Sequence, residues 1–314
     1  MTPLVSIIVP CHNAEPWLEA TLESALAQTW PRCEIILVDD GSTDGSLPLA
    51  QSFAARGVQV VAQANRGASA ARNHALRLAR GDWLQFLDAD DLLAPDKIAR
   101  QFERLRPGED RVLLSGAWTR FHAAPDGAPF PGEPLCADFT PVEFLLTKFS
   151  APLMMHPAAW LVPRALADAA GTWDERLSLD DDGEYFTRVV LAATEVRYCP
   201  EARSYYRSGL RGSLSRRRSE EAWRSQFLSL ELSLDRLLAV EPGARARRVA
   251  ADALQRLVFD AYPASPGCRR RAQARIADWG GSRAHYEAGP RFRRLARWIG
   301  WRLAKRLRNR CEGR

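Results

Sequence analysis

Short apolar runs alternate with stretches of helical period over roughly the first 90 residues, the rhythm of strands and helices taken in turn. Val5-Ser6-Ile7-Ile8-Val9 reads as a buried strand that Pro10 ends. Asn13 predicts an N-cap with Pro16 in the first turn, and Leu18, Leu22, Ala25 and Leu26 follow on one helical face. Ile35–Val38, Val58–Ala62 and Trp83–Leu87 predict three more strands, with an alanine-rich helix after the Asn65-Arg66-Gly67 turn. Such alternation predicts an α/β fold: a Rossmann-like, mostly parallel sheet with flanking helices. Ala123–Pro134 is rich in Gly and Pro and reads as a loop. Beyond about Arg216 the pattern turns helical, with Phe227, Leu230, Leu234, Leu237 and Leu238 on a core-facing stripe. Two units are therefore expected: residues 1–215 as the α/β domain and residues 216–314 as a helical C-terminal extension.

Charge sharpens this division. The net charge of +6 combines +14 over residues 216–314, which hold 24 of the 44 Lys and Arg and 10 of the 38 Asp and Glu, with −8 over residues 1–215. An acidic body and a basic tail suggest separate tasks. At 46% hydrophobic and 26% charged residues the chain is an ordinary globular one, which excludes disorder. No apolar run reaches the roughly 18 residues of a spanning helix, and the amino terminus lacks a basic n-region, so neither a membrane span nor a classical secretion signal is expected. Six scattered cysteines without a C-x-x-C pair suggest reduced thiols and a cytoplasmic location.

The unusual polar clusters fall just past the carboxyl ends of predicted strands, where open α/β sheets place their ligand crevice. Asp88-Ala89-Asp90 sets two carboxylates on an extended turn, suited to one hard divalent cation, Mg2+ or Mn2+, or simply to a turn before the helix near Pro95. Asp39-Asp40-Gly41-Ser42 offers a carboxylate that can accept from a base N–H, beside a glycine that permits close backbone approach.

Four segments, Val5–Asn13, Leu37–Asp44, Asn65-Arg66-Gly67 with Ala71-Arg72-Asn73, and Phe86–Asp91, resemble in order and spacing the signature blocks of family 2 glycosyltransferases. The resemblance covers roughly residues 3–215. It implies a GT-A fold, a nucleotide-sugar donor with UDP as first expectation, a divalent metal and inversion at the anomeric carbon. By motif position, Asp40 would accept from the nucleobase, with Pro10, His12, Asn13 and Gly67 at the base and ribose. Arg72 and Asn73 would face the diphosphate-sugar, Asp90 would ligate the metal, and Asp88 would serve the ribose or a metal-bound water. Trp173–Arg188 is similar to the acceptor-side block, which makes Asp182 the candidate base. Three consecutive aspartates leave Asp181, and by register Asp180, as alternatives. Tyr206-Arg207, Arg211 and Ser213-Leu214-Ser215 resemble the closing loop, whose Arg207 or Arg211 would serve the diphosphate. His156 and Trp160 would line the acceptor side.

The acceptor implied is a glycan or a lipid-linked sugar of cell-surface polysaccharide or lipopolysaccharide biosynthesis. From Arg291 to Arg310, Phe292, Leu295, Ala296, Ile299, Leu303 and Leu307 share an arc flanked by Arg and Lys, with Trp298 at its edge and Trp301 off the pattern. This basic amphipathic helix suits an anionic membrane surface, giving a peripheral position on the inner face of the cytoplasmic membrane; docking on its own domain is the competing reading. Nucleic acid is not an expected partner, since no nucleic-acid-binding fold accompanies the charge. Two other functions compete: a nucleotidyltransferase that makes nucleotide sugars, whose glycine-rich loop Cys11–Glu15 does not supply, and a non-catalytic sugar-nucleotide binder, against which Asp88, Asp90 and Asp182 argue.

Overall fold

The computed structural model describes residues 2–125, 127–209, 219–285 and 289–311. In chain order the elements are β1 (Val5–Cys11), α1 (Glu15–Leu26), β2 (Cys33–Asp40), α2 (Ser46–Ser52), β3 (Val58–Gln63), α3 (Ala68–Leu78), β4 (Trp83–Phe86), β5 (Leu92–Leu93), α4 (Lys97–Phe102), β6 (Val112–Phe121) and α5 (Pro141–Ser150). They continue with β7 (Val162–Pro163), α6 (Arg164–Ala170), α7 (Asp181–Ala192), β8 (Glu195–Arg207), α8 (Glu220–Val240), α9 (Ala244–Ala261), α10 (Pro266–Asp278) and α11 (Pro290–Cys311).

All seven residues of β1 are buried, as a strand covered by helices on both faces requires. It pairs in parallel with β2 and β4, β3 adds in parallel beyond β2, and β7 closes the other edge antiparallel, giving the order β3-β2-β1-β4-β7. Contrary to the sequence expectation, Pro10 lies inside β1. Leu87 N donates to Ile8 O at 2.9 Å and Ile8 is the last β1 residue paired with β4, so Pro10, two residues on, faces the same side beyond the end of β4. Its missing N–H therefore costs no ladder bond. Asn13 is likewise not the cap of α1: Ala14 takes that position, while Asn13 adopts the left-handed region at φ 51° and its Oδ1 accepts from Thr43 N at 2.8 Å.

A second sheet, β5-β8-β6, braces the loop that leaves β4. β8 runs parallel to β6 with a bulge at Gly116/Ala117, where a Cβ on Gly116 would meet Ala202 O at 2.3 Å. β5 pairs antiparallel with β8 through Leu92–Tyr205 and Leu93–Ser204, so Asp88–Asp91 is pinned between two strands.

One core lies on the α1 face, joining Val5, Ile7, Val9 and Leu37 to Leu18 and Leu22. The other takes Ile8, Ile36, Leu84 and Phe86 together with Trp160, Trp173 and Tyr185, and it also takes Trp223, Phe227, Leu234, Leu254 and Val258 from α8 and α9. Each fully buried Leu or Phe side chain contributes about 1.5–3 kcal/mol, so the C-terminal helices are anchored to the α/β body by several kcal/mol. The expected 215/216 boundary falls in a stretch outside the described residues. The basic tail helix is not one continuous arc, because α11 breaks at Gly300 (φ 77°, ψ 149°). Past the break Trp301 packs edge-on against Phe259 and Tyr262, and Lys305 Nζ donates to Asp260 O at 2.9 Å.

Candidate active site

Helix α3 gathers the polar clusters at the carboxyl edge of the parallel sheet. Asp40, the last residue of β2, faces its amino terminus: Oδ2 accepts from Gly67 N at 2.7 Å, and Oδ1 from Arg66 N at 2.9 Å and Gln63 Nε2 at 2.8 Å. Gly67 enters the helix at φ 91°, a conformation that favours glycine. A carboxylate offers about four acceptor positions, of which these three bonds occupy three. The neighbouring Asp39 accepts from Ser42 N at 3.1 Å, while its buried Oδ1 has no partner. His12 lies over this corner, Nδ1 3.0 Å from Asp40 O, and Asn65 Nδ2 is within 3.1 Å of the same ring nitrogen. Pro10 is buried in β1 next to them.

At the start of the second turn of α3, Arg72 is 5% exposed and bridges segments far apart in sequence. Its guanidinium donates to Asp88 Oδ1 and to Asp181 Oδ2, each at 2.7 Å, and lies 4.4 Å above the Trp173 ring. Burial by itself lowers the Arg72 pKa, but Asp88, Asp181 and Asp182 more than offset it and the group stays firmly charged. Ser69, one turn earlier, adds its hydroxyl to Asp181 Oδ2 at 2.9 Å.

Asp90 has no such partner: among the described residues no side-chain donor reaches its carboxylate. Burial, then Asp91 and Asp88, push its pKa up to about 8. Crowded hard oxygen donors with too little positive charge nearby fit Mg2+ or Mn2+, which commonly take one or two protein carboxylates and leave the rest to phosphates and water. Among the described residues no group of three or more His, Cys, Asp or Glu could hold a metal unaided.

The acceptor-side block meets this site through α7. Asp181 is committed to Arg72 and Ser69, whereas Asp182 Oδ1 only accepts from the adjoining Gly183 N at 2.9 Å. Desolvation, then the charges of Asp181 and Asp180, raise Asp182 to about 7, against the opposing pull of Lys148 and Arg72. Asp180 precedes the helix in the left-handed region, φ 61°, which costs on the order of 1–3 kcal/mol for a residue with a side chain.

Several expected roles change. His156 and Trp160 are each 1% exposed and present no surface to an acceptor. His156 lies beneath the Asp88–Asp91 loop, Nδ1 3.0 Å from Asp91 Oδ2 and Nε2 2.9 Å from Ser204 Oγ, and burial drives its pKa down to about 3, so the ring is neutral. Trp160 stacks on Phe186 in the core. Asn73 does not face a diphosphate: its amide brackets Trp173 through N and O at 2.8 and 2.9 Å and reaches Glu175 Oε1 at 3.0 Å, which fixes the start of the acceptor block. Arg207 is spent on carbonyls, Nε donating to Asp90 O at 2.9 Å and Nη1 to His122 O at 3.1 Å, while its backbone N donates to Asp91 Oδ1 at 2.9 Å. It holds the carboxylate loop in place. Arg211 and Ser213-Leu214-Ser215 lie outside the described residues.

Sequence reasoning passed over Ser69, Asp91, and Ser225 and Ser229 of α8, the last two bonded to the chain just ahead of α7. One signal existed: Ser225, Ser229 and Ser233 recur every fourth residue on the buried side of a helix, where polar groups need partners.

A parallel-dominated sheet whose carboxyl edge carries an acidic loop, the buried Asp40 carboxylate and an arginine bridge resembles the fold of the GT-A glycosyltransferases. Residues 6–126 match the family model Glycosyl transferase family 2. It is similar to EpsJ of Bacillus subtilis, an uncharacterized glycosyltransferase, at 45% identity over 118 residues, which are 37% of this chain and 34% of EpsJ. It is also similar to TuaG of Bacillus subtilis, a putative teichuronic acid biosynthesis glycosyltransferase, at 43% identity over 104 residues, 32% of this chain and 41% of TuaG. The matched part thus spans well under half the length of these curated relatives. Among solved structures, residues 1–349 of S. aureus TarS in complex with UDP-GlcNAc superpose with a TM-score of 0.67 at 19% identity, covering 88% of this chain and 80% of that one. The mannosyltransferase PcManGT of Pyrobaculum calidifontis, in complex with GDP-Man and Mn2+, gives 0.54 at 19% identity, covering 98% and 87%. These structural likenesses concern the fold.

Proposed function

We propose that this chain moves a sugar from a nucleotide-sugar donor to a hydroxyl of a glycan or lipid-linked acceptor in cell-surface glycan synthesis, by one inverting displacement. The observation that carries the reading is Arg72 touching Asp88 and Asp181 at once, which joins a donor-side carboxylate to the neighbour of the candidate base Asp182. Pro10, His12, Asn13, Asp40 and Gly67 form the base and ribose end of the donor site, and Arg72 with Asp88 the diphosphate end. Asp88 and Asp90 would hold a divalent cation, which supplies positive charge for the departing diphosphate. Asp182, poised near neutrality and without an ion pair among the described residues, takes the proton from the acceptor hydroxyl as it attacks the anomeric carbon; general-base help of this kind is worth about 10²–10⁴-fold. Asp181 is less suited, since Arg72 and Ser69 hold its carboxylate. The nucleotides in the complexes of TarS and PcManGT support a UDP- or GDP-sugar, with UDP tested first.

The test is a screen of UDP-, GDP- and dTDP-sugars for Mn2+-dependent thermal stabilisation, because a ligand that binds only the native state raises the melting temperature. One nucleotide sugar is expected to stabilise and then to be turned over. Stabilisation by none of them would end the reading.

A peripheral membrane position accompanies this reading. Before the break at Gly300, α11 exposes Trp298 by 89% and Leu295 by 40%, among Arg293, Arg294 and Arg297. Trp beside arginines suits the headgroup region of an anionic leaflet, where each basic residue contributes about 1 kcal/mol. Among the described residues no helix is long and apolar enough to cross a membrane. Replacing Leu295 and Trp298 together by serine is expected to abolish co-sedimentation with phosphatidylglycerol vesicles while leaving nucleotide binding intact; undiminished co-sedimentation removes the membrane contact.

A further inference from the structure

The residues that set the candidate base in place belong to α8, beyond the segment that matches the family model. Ser225 Oγ accepts from Ser178 N and Leu179 N, both at 2.9 Å, and is 2.6 Å from Leu179 O, to which it donates. One turn on, Ser229 Oγ lies 2.6 Å from Asp180 O and 2.7 Å from Asp180 Oδ2, so its single proton serves one or both of these acceptors. Two serines four residues apart thereby occupy the polar groups of Ser178–Asp180 that face α8. Arg236, on the same helix, brings Nε to 3.6 Å from Glu184 Oε1 in the first turn of α7.

What they hold is a residue in an unfavourable conformation. Asp180 is one of three non-glycine residues with positive φ among the described residues, and it stands directly before Asp181 and Asp182. Its dihedrals decide where α7 begins, and hence whether Asp181 meets Arg72 and where Asp182 stands beside that pair. A left-handed aspartate persists where surrounding contacts over-determine it; here Ser229 bonds Asp180 itself and Ser225 the two residues before it.

We infer that Ser225 and Ser229 are positioning residues for the Asp181–Asp182 pair, and that α8 is for that reason part of the catalytic unit. The inference rests on the proposed transfer reaction for its kinetic consequence only; its structural content stands without it. Ser225 and Ser229 are buried, and serine-to-alanine changes remove one oxygen each without adding volume.

The experiment compares Ser229→Ala, the Ser225→Ala/Ser229→Ala double variant and, as a control for generic damage to α8, Ser233→Ala. Hydrogen exchange by mass spectrometry is read on peptides covering residues 178–186, and transfer kinetics on the donor found in the nucleotide-sugar screen. Exchange in that window is expected to rise at least tenfold in the double variant and within twofold in Ser233→Ala. The kcat should fall about tenfold in Ser229→Ala, the scale of one lost hydrogen bond to a charged group, with donor KM within twofold. Unchanged exchange over 178–186 in the double variant overturns the clamp. Raised exchange with unchanged kcat, or a kcat loss shared equally by Ser233→Ala, overturns its positioning role. A wild type that turns over no nucleotide sugar refutes the transfer reaction, and the exchange result still decides the clamp.

Discussion

Replacing Arg72 by methionine tests the link between the two halves of the site. Methionine keeps an apolar stem against the Trp173 ring and removes the charge that Asp88 and Asp181 share. Deleting one partner of a buried ion pair costs about 3–5 kcal/mol; Asp88 and Asp181 keep 28% and 17% of their side-chain exposure, so solvent screening reduces this to about 2–4 kcal/mol. At about 2–4 °C per kcal/mol for a protein somewhat smaller than this one, the midpoint should fall by roughly 4–16 °C. The loss has a defined pH dependence. Arg72 favours the ionised form of Asp182, whose pKa is raised to about 7, so the gap between wild type and Arg72→Met is widest near pH 8 and narrows as pH falls through 7 and Asp182 takes up its proton. Differential scanning fluorimetry in urea-free buffers at about pH 5, 6.5 and 8 measures this directly. An unchanged midpoint, or an equal deficit at pH 5 and pH 8, would refute the view that Arg72 neutralises a carboxylate cluster.

Asp182→Asn should abolish transfer while preserving nucleotide binding, and the wild-type rate should rise with pH through an apparent value of about 7; an acid limb near 4 would count against Asp182 as the base. Because its folded-state pKa is raised, Asp182 binds its proton more tightly in the native than in the unfolded chain, so its contribution to stability is lost as pH climbs from about 4 to 7. Asp182→Asn should therefore melt a few degrees above wild type at pH 8, and a lower melting point would contradict the electrostatic reading. Asp90→Ala, or treatment with EDTA, is expected to eliminate the Mn2+-dependent part of the donor's thermal stabilisation; full retention would take Asp90 out of the metal site. His156→Ala should destabilise without changing donor KM, since it leaves Asp91 and Ser204 short of a partner in the core, and a selective rise in acceptor KM would restore His156 to the acceptor side.

The parallel sheet was legible because its strands are buried on both faces and read as continuous apolar runs, and the acidic clusters were legible because they follow those runs directly. Local chemistry of this kind leaves its mark within a few neighbouring residues. Which side chains remain free to act did not. Asp88, Asp181, Asn73, Arg207 and His156 look equally available in the sequence. Only packing assigns Asp181 to Arg72, Asn73 to the backbone of Trp173, Arg207 to the carbonyl of Asp90, and His156 to a dry hydrogen-bonded position under the loop.

The same distinction governs the C-terminal half. Its helical periodicity and its basic charge follow from the order of residues alone, since a 3.6-residue period and net charge are local or summed properties. That α8 shares the core of the sheet and reaches the turn before Asp181, and that the last helix breaks at Gly300 so that Trp301 docks while Trp298 stays outside, depends on pairs of groups more than 40 residues apart. Such pairings are chosen by how surfaces fit once the chain is compact. They have no local signature, and the tertiary structure alone decides them.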